Sequence, residues 1–71
     1  MRYLVVIEKG RNSFGAYVPD LPGCVAVAKT RRKVKRLIRE AIQLHVHDMR
    51  ERGYPVPKPS AASEFVELQS A

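Results

Sequence analysis

The stretch GAYVPDLPGC, residues 15–24, determines how the first half of the chain folds. Its first four residues belong to a predicted strand, residues 14–18, in which Tyr17 lies on the face opposite to the other apolar side chains. Two prolines, which lack a backbone donor, and a glycine, which tolerates unusual dihedral angles, then predict a turn over residues 19–23. A strand of small residues, 24–28, follows this turn.

The residues before this stretch add another strand. Residues 2–9 include five consecutive aromatic, branched or aliphatic side chains, from Tyr3 to Ile7. Such a run favours a strand that is covered on at least part of both faces. Turn-forming residues at 10–13 connect it to the next strand as a short hairpin. Three consecutive strands with short connections predict an antiparallel meander.

Residues 31–52 have the period of a helix. Thr30 is placed to cap its N terminus, and Gly53, followed by Pro55, is placed to end it. Apolar or weakly polar residues at spacings of three and four predict one buried face; they are Val34, Leu37, Ile38, Ala41, Leu44, His45 and Met49. The opposite face, called the outer arc below, consists of Arg32, Lys33, Lys35, Arg36, Arg39, Glu40, Gln43, His47, Arg50 and Glu51.

A proline-rich segment follows the helix. Alternate prolines at residues 54–60 predict a stiff, extended connector within the domain. Residues 64–69 have the composition of a last strand at a sheet edge. The 71 residues suffice for one domain. The sequence therefore predicts a single α+β domain over residues 1–71, an antiparallel β-meander of three strands with one long helix and a C-terminal edge strand, in the order βββαβ.

Charge and cysteine content restrict the classes of function. The formal net charge is +6, and basic proteins are candidates for nucleic acid or acidic partners. Cys24 is the only cysteine, which excludes an internal disulfide and disfavours a cysteine-based zinc site. A small domain without either often gains stability by association, so we expect a homo-oligomer. Without an apparent export or membrane-spanning segment, we expect a cytoplasmic protein with no membrane contact.

Residues 15–24 resemble the signature of the HicB-like antitoxin family, and their PDLPGC core is fairly specific. The resemblance covers residues 2 to about 60, including VIE at 6–8, REAI at 39–42 and the prolines after Gly53. It implies a partial RNase H-like fold. It also implies a binding module that neutralises a small HicA-type mRNA-cleaving toxin by covering the toxin's catalytic histidine. Many relatives add a C-terminal DNA-binding segment, but this chain ends at Ala71 without one, so no separate DNA-binding domain is expected.

The start of the helix departs from the family pattern. Relatives usually carry glutamates after the capping threonine, whereas six basic residues and no acid lie between Arg31 and Arg39. Lys33 occupies the position that a capping box gives to Glu or Gln, and this positive charge opposes the helix dipole. A basic face would also repel a basic, RNA-handling toxin. The alternative function is therefore nucleic-acid binding through phosphate contacts; its residues would be Arg32, Lys35, Arg36 and Arg39.

Four residues are candidates for contact with a protein partner: Tyr3, Phe14, Tyr17 and Asp20. The three aromatic residues would line a sheet face that the helix leaves open. Self-association would cover the same face equally well, and both interpretations remain open. Asp20 also has a structural interpretation, in which its side chain caps the turn at residues 19–23.

Catalysis is not expected. The seven acids are dispersed along the chain, whereas RNase H chemistry requires carboxylates clustered around divalent metal ions. His45 and His47 lie about 200° apart around a helix and cannot chelate one ion together. His45 is expected to be a hydrogen-bonded core residue, His47 to be exposed, and Cys24 to be a packed small residue rather than a nucleophile. We therefore expect no catalytic residue, no metal and no other cofactor.

Overall fold

The computed structural model describes residues 1–69. Its elements, in chain order, are β1 (Val6–Lys9), β2 (Phe14–Tyr17), β3 (Val25–Ala28) and α1 (Arg31–Glu51). The strands pair antiparallel in the order β1-β2-β3. α1 packs on one face of this sheet, mainly against β3 and β2. The predicted α+β architecture, a three-stranded meander followed by one long helix, is confirmed.

The strand register assigns the side chains to two faces, because successive residues of a strand point to opposite sides. Two rows of paired residues lie on the face that α1 covers: Ile7–Ala16–Ala26 and Lys9–Phe14–Ala28. Two rows lie on the opposite face, called the open face below: Val6–Tyr17–Val25 and Glu8–Gly15–Val27. Burial agrees with this assignment, since Ala16 and Ala28 belong to the core whereas Val25 and Val27 are exposed.

Two consecutive turns connect β2 to β3. The backbone N–H of Leu21 donates to the Val18 carbonyl, and that of Cys24 donates to the Leu21 carbonyl, each at 3.0 Å. The second turn has Pro22 at its first central position and Gly23, with a φ of 85°, at its second. This is the type II pattern, which requires a positive φ at that glycine. Leu21, between the turns, is fully buried and anchors the loop in the core.

Both predicted caps of α1 are confirmed. The Thr30 hydroxyl accepts a hydrogen bond from a backbone N–H of the first turn at 3.0 Å. At the other end Gly53 has a φ of 73°. Its N–H donates to the Arg50 carbonyl at 3.1 Å, and the N–H of Tyr54 donates to the Met49 carbonyl at 2.9 Å. This pair of bonds is a Schellman motif, which satisfies carbonyls that the end of a helix leaves unpaired.

The core lies between the sheet and α1 and contains Ala16, Val18, Leu21, Cys24, Ala28, Val34, Ile38 and Val46. The predicted packing of Cys24 is confirmed. Two aliphatic residues of the helix were wrongly assigned: Leu44 is 70% exposed, and Val46, which was not assigned to the buried face, is buried. The N-terminal residues lie on the Val46 side of α1, since Tyr3 packs against the core and lines a cavity together with Val46.

The strands are shorter than predicted. β1 begins at Val6 rather than at Arg2, because β2 offers pairing partners only as far as Tyr17. The predicted last strand is not confirmed, since residues 54–69 have no regular secondary structure. An extended segment becomes a strand only by pairing with a neighbour. Residues 64–68 instead expose their side chains to solvent.

Candidate functional site

The open face of the sheet is apolar and accessible. Tyr17 at its centre is 41% exposed, and Val25 and Val27 on β3 are 63% and 66% exposed. Val6 on β1 completes the row and is half-buried. Glu8 is the one charged residue in the two rows of this face. A contiguous apolar patch on so small a domain is typical of a contact surface.

A second surface, called the groove below, lies between the N-terminal residues and α1. It has a volume of about 760 Å³. Its apolar lining consists of Tyr3, Val5, Ile7, Ile38 and Ile42. Its basic lining consists of Lys35, Arg36 and Arg39. These three side chains are exposed whereas Ile38 is buried, so the groove combines an apolar floor with a positively charged rim.

Asp20 holds the C-terminal segment against the β2–β3 loop. Its Oδ2 accepts hydrogen bonds from the backbone N–H of Ser60 at 2.9 Å and of Ala61 at 3.0 Å, and its Oδ1 accepts one from the Ser60 hydroxyl at 3.0 Å. The N–H of Ala61, followed by that of Ser60, lowers the pKa of the Asp20 carboxyl, because these bonds favour its ionised form. The expected capping of its own turn is therefore wrong. The carboxylate instead binds a segment 40 residues later in the chain.

The other predicted partner-binding residues lie on different surfaces. Tyr3 packs against the core, and its hydroxyl donates a hydrogen bond to the Pro57 carbonyl. Phe14 is half-buried in a row that α1 covers. Phe14 and Tyr17 thus lie on opposite faces of the sheet, so the four predicted residues do not form one cluster. Their role in partner binding stays a prediction.

The N-terminal half of α1 presents positive charge to solvent. The four residues predicted to contact phosphates are all exposed: Arg32, Lys35, Arg36 and Arg39. Within residues 1–69, the ion pair at this helix lies near its other end, between Arg52 and Asp48 at 3.2 Å, and His47 Nε2 lies 3.6 Å from a carboxylate oxygen of Glu51. The basic half is therefore not neutralised by ion pairs in that range. Because α1 covers one face of the sheet, this charge and the open face lie on opposite sides of the molecule.

The residues capable of catalytic chemistry are dispersed. No group of three or more His, Cys, Asp or Glu side chains in the described part of the chain is placed to hold a metal ion. Burial raises the pKa of the Cys24 thiol and so disfavours its thiolate. His47 is exposed as predicted. His45 was wrongly assigned to the core; it is half-buried and lies beside Leu44 and the start of β3, where the sheet ends.

No helix among the described residues combines the length and apolarity that crossing a lipid bilayer requires.

The sequence matches, over residues 3–70, the family described as HicB-like antitoxin of bacterial toxin-antitoxin system. This chain belongs to the HicB-like antitoxin family. The resemblance carried by residues 15–24 is thereby confirmed. No solved structure matches the chain, so the partial RNase H-like description stays an implication of the family.

Relatives of this HicB-like chain differ in length. A UPF0150 protein of Helicobacter pylori is 46% identical over 44 residues, which cover 62% of this chain and 61% of the relative. A UPF0150 protein of Thermoplasma acidophilum is 31% identical over 62 residues, 86% of this chain and 90% of the relative. An uncharacterized 14.9 kDa protein in the rep-hol intergenic region of Haemophilus phage HP1 is 30% identical over 66 residues. The matched region is 93% of this chain but only 50% of the phage protein.

Proposed function

We propose that this HicB-like chain binds a small HicA-type mRNA-cleaving toxin and inhibits it by covering its active site, with no catalysis of its own. Membership of an antitoxin family supports a toxin as the partner. The open face, with the exposed ring of Tyr17 at its centre, is the observation that supports a site of contact. The cytoplasm is the proposed location, because the mRNA that such a toxin cleaves is found there.

The distribution of charge favours the open face over α1. A toxin that handles RNA carries basic residues, which the N-terminal half of α1 would repel. The open face lies on the other side of the sheet, and the charged residue in its paired rows is the acidic Glu8. Of the four predicted partner-binding residues, we assign direct contact to Tyr17. We assign the positioning of the sheet and of the C-terminal segment to Tyr3, Phe14 and Asp20.

The test is to replace Tyr17 with aspartate. A charge placed at the centre of an apolar contact must be desolvated, so we expect toxin binding to weaken by about 30-fold or more. Binding is measured by calorimetry with a toxin encoded beside this chain, inactivated at its catalytic histidine. Inhibition of RNA cleavage is measured with the active toxin.

Tyr54 offers a matched control, because it is an exposed tyrosine that lies beyond the end of α1. The Tyr54→Asp variant should bind the toxin as the unchanged chain does. Equal losses in both variants, or no loss with Tyr17→Asp, would place the contact elsewhere. Failure of the unchanged chain to bind any such toxin would contradict the proposed function itself.

A second function, binding to nucleic acid, is favoured by the exposed basic residues of α1. Replacing Arg32, Lys35, Arg36 and Arg39 together with glutamine should then abolish binding to short RNA and to duplex DNA. Binding by the unchanged chain should fall steeply as salt rises, because phosphate contacts release counterions. Tyr17→Asp serves as the control and should bind normally. Affinity that the fourfold substitution leaves unchanged would exclude this function for α1.

A further inference from the structure

Residues 62–68, called the tail below, carry an apolar segment with the composition of a strand. Phe65, Val66 and Leu68 are 105%, 78% and 84% exposed. Phenylalanine and valine favour the extended backbone of a sheet. An exposed apolar segment of this kind is a template for pairing with a sheet edge. The tail therefore has the properties of a strand that lacks its partner.

The point at which the tail leaves the domain is fixed. Tyr3 holds the Pro57 carbonyl, and Asp20 holds Ser60 and Ala61 with three hydrogen bonds. Every residue from 62 to 68 is exposed. The molecule accordingly measures 50 Å along its longest axis but 16 Å along its shortest. The tail is thus an arm that projects from a defined position.

The groove offers an apolar surface of suitable size. Its volume of about 760 Å³ lies within the range of sites that enclose small ligands, so it can hold several side chains of the tail. Its floor is formed by Tyr3, Val5, Ile7, Ile38 and Ile42. β1 is the terminal strand of the sheet, and such a strand leaves backbone donors and acceptors along its outer edge for another strand.

The charges of the tail and the groove are complementary. Residues 59–71 contain Glu64 and Glu67 but no lysine or arginine, whereas all thirteen basic residues of the chain lie before residue 59. The rim of the groove is formed by Lys35, Arg36 and Arg39. In a strand, Glu64, Val66 and Leu68 share one side, and Phe65 and Glu67 share the other. Either side therefore presents both an apolar group and a carboxylate to a groove with an apolar floor and a basic rim.

We propose that residues 64–68 of one copy of this chain lie in the groove of a second copy, and that the exchange is reciprocal. A second copy is the favoured occupant because the tail in this structure projects away from its own domain and leaves Phe65 fully exposed. Each copy supplies one tail and one groove, which gives a closed dimer with twofold symmetry. The dimer leaves the open face and Tyr17 free, so the inference does not depend on the proposed toxin.

Charge reversal tests the exchange. One variant, Glu64→Lys with Glu67→Lys, has a basic tail and a basic groove. The other, Arg36→Glu with Arg39→Glu, has an acidic tail and an acidic groove. Each alone should be monomeric by sedimentation, whereas the unchanged chain should be dimeric. An equimolar mixture should form a heterodimer, because each tail then meets a groove of opposite charge.

The mixture distinguishes exchange from other arrangements. A tail that binds the groove of its own domain gives monomers throughout, since mixing two chains cannot restore an internal contact. A dimer that survives both reversals uses a different surface. Either result would overturn the proposal. The variant Arg11→Glu with Lys29→Glu has the same net charge as the groove variant but changes exposed residues outside the groove, and it should remain dimeric.

The apolar part of the contact has its own test. Phe65→Ser should weaken dimerisation of the full chain by about tenfold or more, because a buried aromatic ring is lost from each of two contacts. Val27→Ser is the matched control, since it removes an exposed apolar side chain from the open face and should leave dimerisation unchanged. Both changes lie on the surface, and circular dichroism verifies that the fold is retained. Equal dimerisation of the Phe65 variant and the unchanged chain would contradict the proposed contact.

Discussion

At the scale of single residues, Asp20 connects two parts of the chain that are far apart in sequence. Its carboxylate accepts three hydrogen bonds from Ser60 and Ala61. Sequence reasoning assigned it to the nearest turn, because aspartate between two prolines often caps such a turn. The actual donors lie 40 residues later, and no local pattern connects an acid with two backbone N–H groups at that distance. This contact could therefore be found only from the fold.

Removing the charge of Asp20 should release the C-terminal segment. In Asp20→Asn the amide oxygen can still accept from the Ser60 and Ala61 N–H groups, but it carries no full negative charge, so both bonds are weakened, and the N–H₂ group cannot accept from the Ser60 hydroxyl. We therefore expect faster hydrogen exchange at the Ser60 and Ala61 amides and a lower unfolding temperature. Asp48→Asn is the control; its carboxylate pairs with Arg52 instead, so exchange at Ser60 and Ala61 should not change. Unaltered exchange in the Asp20 variant would show that these bonds contribute little.

The contribution of Asp20 should depend on pH. Its pKa in the folded chain is lowered from the ordinary value of 3.8, so folding favours the ionised carboxylate. The stabilisation is complete above pH 3.8 and is lost as the pH falls through the lower pKa of the folded state. The difference in unfolding temperature between the unchanged chain and Asp20→Asn should therefore be constant near neutral pH and shrink below 3.8. A difference that grows on acidification would contradict this sign.

Replacing each of two glycines with alanine should change the free energy of unfolding by different amounts. Gly23 has a φ of 85° and would meet no atom within 4 Å, so Gly23→Ala should cost about 1 kcal/mol of unfolding free energy through backbone strain alone. Gly15 has equally open surroundings and no positive φ, so Gly15→Ala should be neutral or slightly stabilising. Urea denaturation measures both. Equal effects would argue against the type II turn as the reason for Gly23.

At the scale of elements, the ends of α1 could be predicted and the packing of its faces only in part. Thr30 and Gly53 act through neighbouring backbone groups, so their pattern in the sequence is sufficient to place the caps. Burial of Val46 and exposure of Leu44 depend instead on how the sheet and the N-terminal residues are placed against the helix. Strand lengths were overestimated for a related reason. A strand ends where its partner ends, and β2 has four residues.

The unfavourable start of α1 leaves room for stabilisation. Lys33 is the third residue after Thr30, where a glutamate would complete a capping box and complement the helix dipole. Lys33→Glu should therefore raise the free energy of unfolding by about 0.5 to 1 kcal/mol. Arg50→Glu makes the same change of charge in the last turn and should lower it. Thermal denaturation in low salt gives both values, and destabilisation by Lys33→Glu would mean that the lysine has another role.

At the scale of the whole molecule, the sheet separates two kinds of surface. The open face is apolar around Tyr17, whereas the side that α1 covers carries the groove and its basic rim. The sequence predicted that the basic residues lie on the exposed face of α1, and it predicted which side chains lie on each face of β2. Both predictions follow from the local period of a helix or a strand. The sequence did not predict the groove, since residues 3–7 and α1 are brought together only by the antiparallel order of the strands. Tyr17 and the basic residues of α1 could thus be proposed singly from the sequence, whereas the surfaces to which they belong could not.

The core is independent of the tail. Its buried residues lie between Ala16 and Val46, and Val56 is the last hydrophobic residue packed against it. A chain shortened to residues 1–61 should therefore retain its helix content and unfolding temperature when it is compared as a monomer. It should retain toxin binding and lose self-association. Circular dichroism, calorimetry and sedimentation test the three expectations, and an unfolded product would show that the tail contributes to the core.

The single cysteine offers a way to measure how often this domain opens. Cys24 is the buried last residue of the type II turn and directly precedes β3. A thiol reagent in solution can reach its sulfur only while the loop or the whole domain is open. When closing is faster than labelling, the observed rate is the intrinsic rate multiplied by the fraction of time spent open. The labelling rate divided by that of the unfolded chain therefore gives the opening equilibrium, and a ligand that binds the closed form slows labelling in proportion to its occupancy.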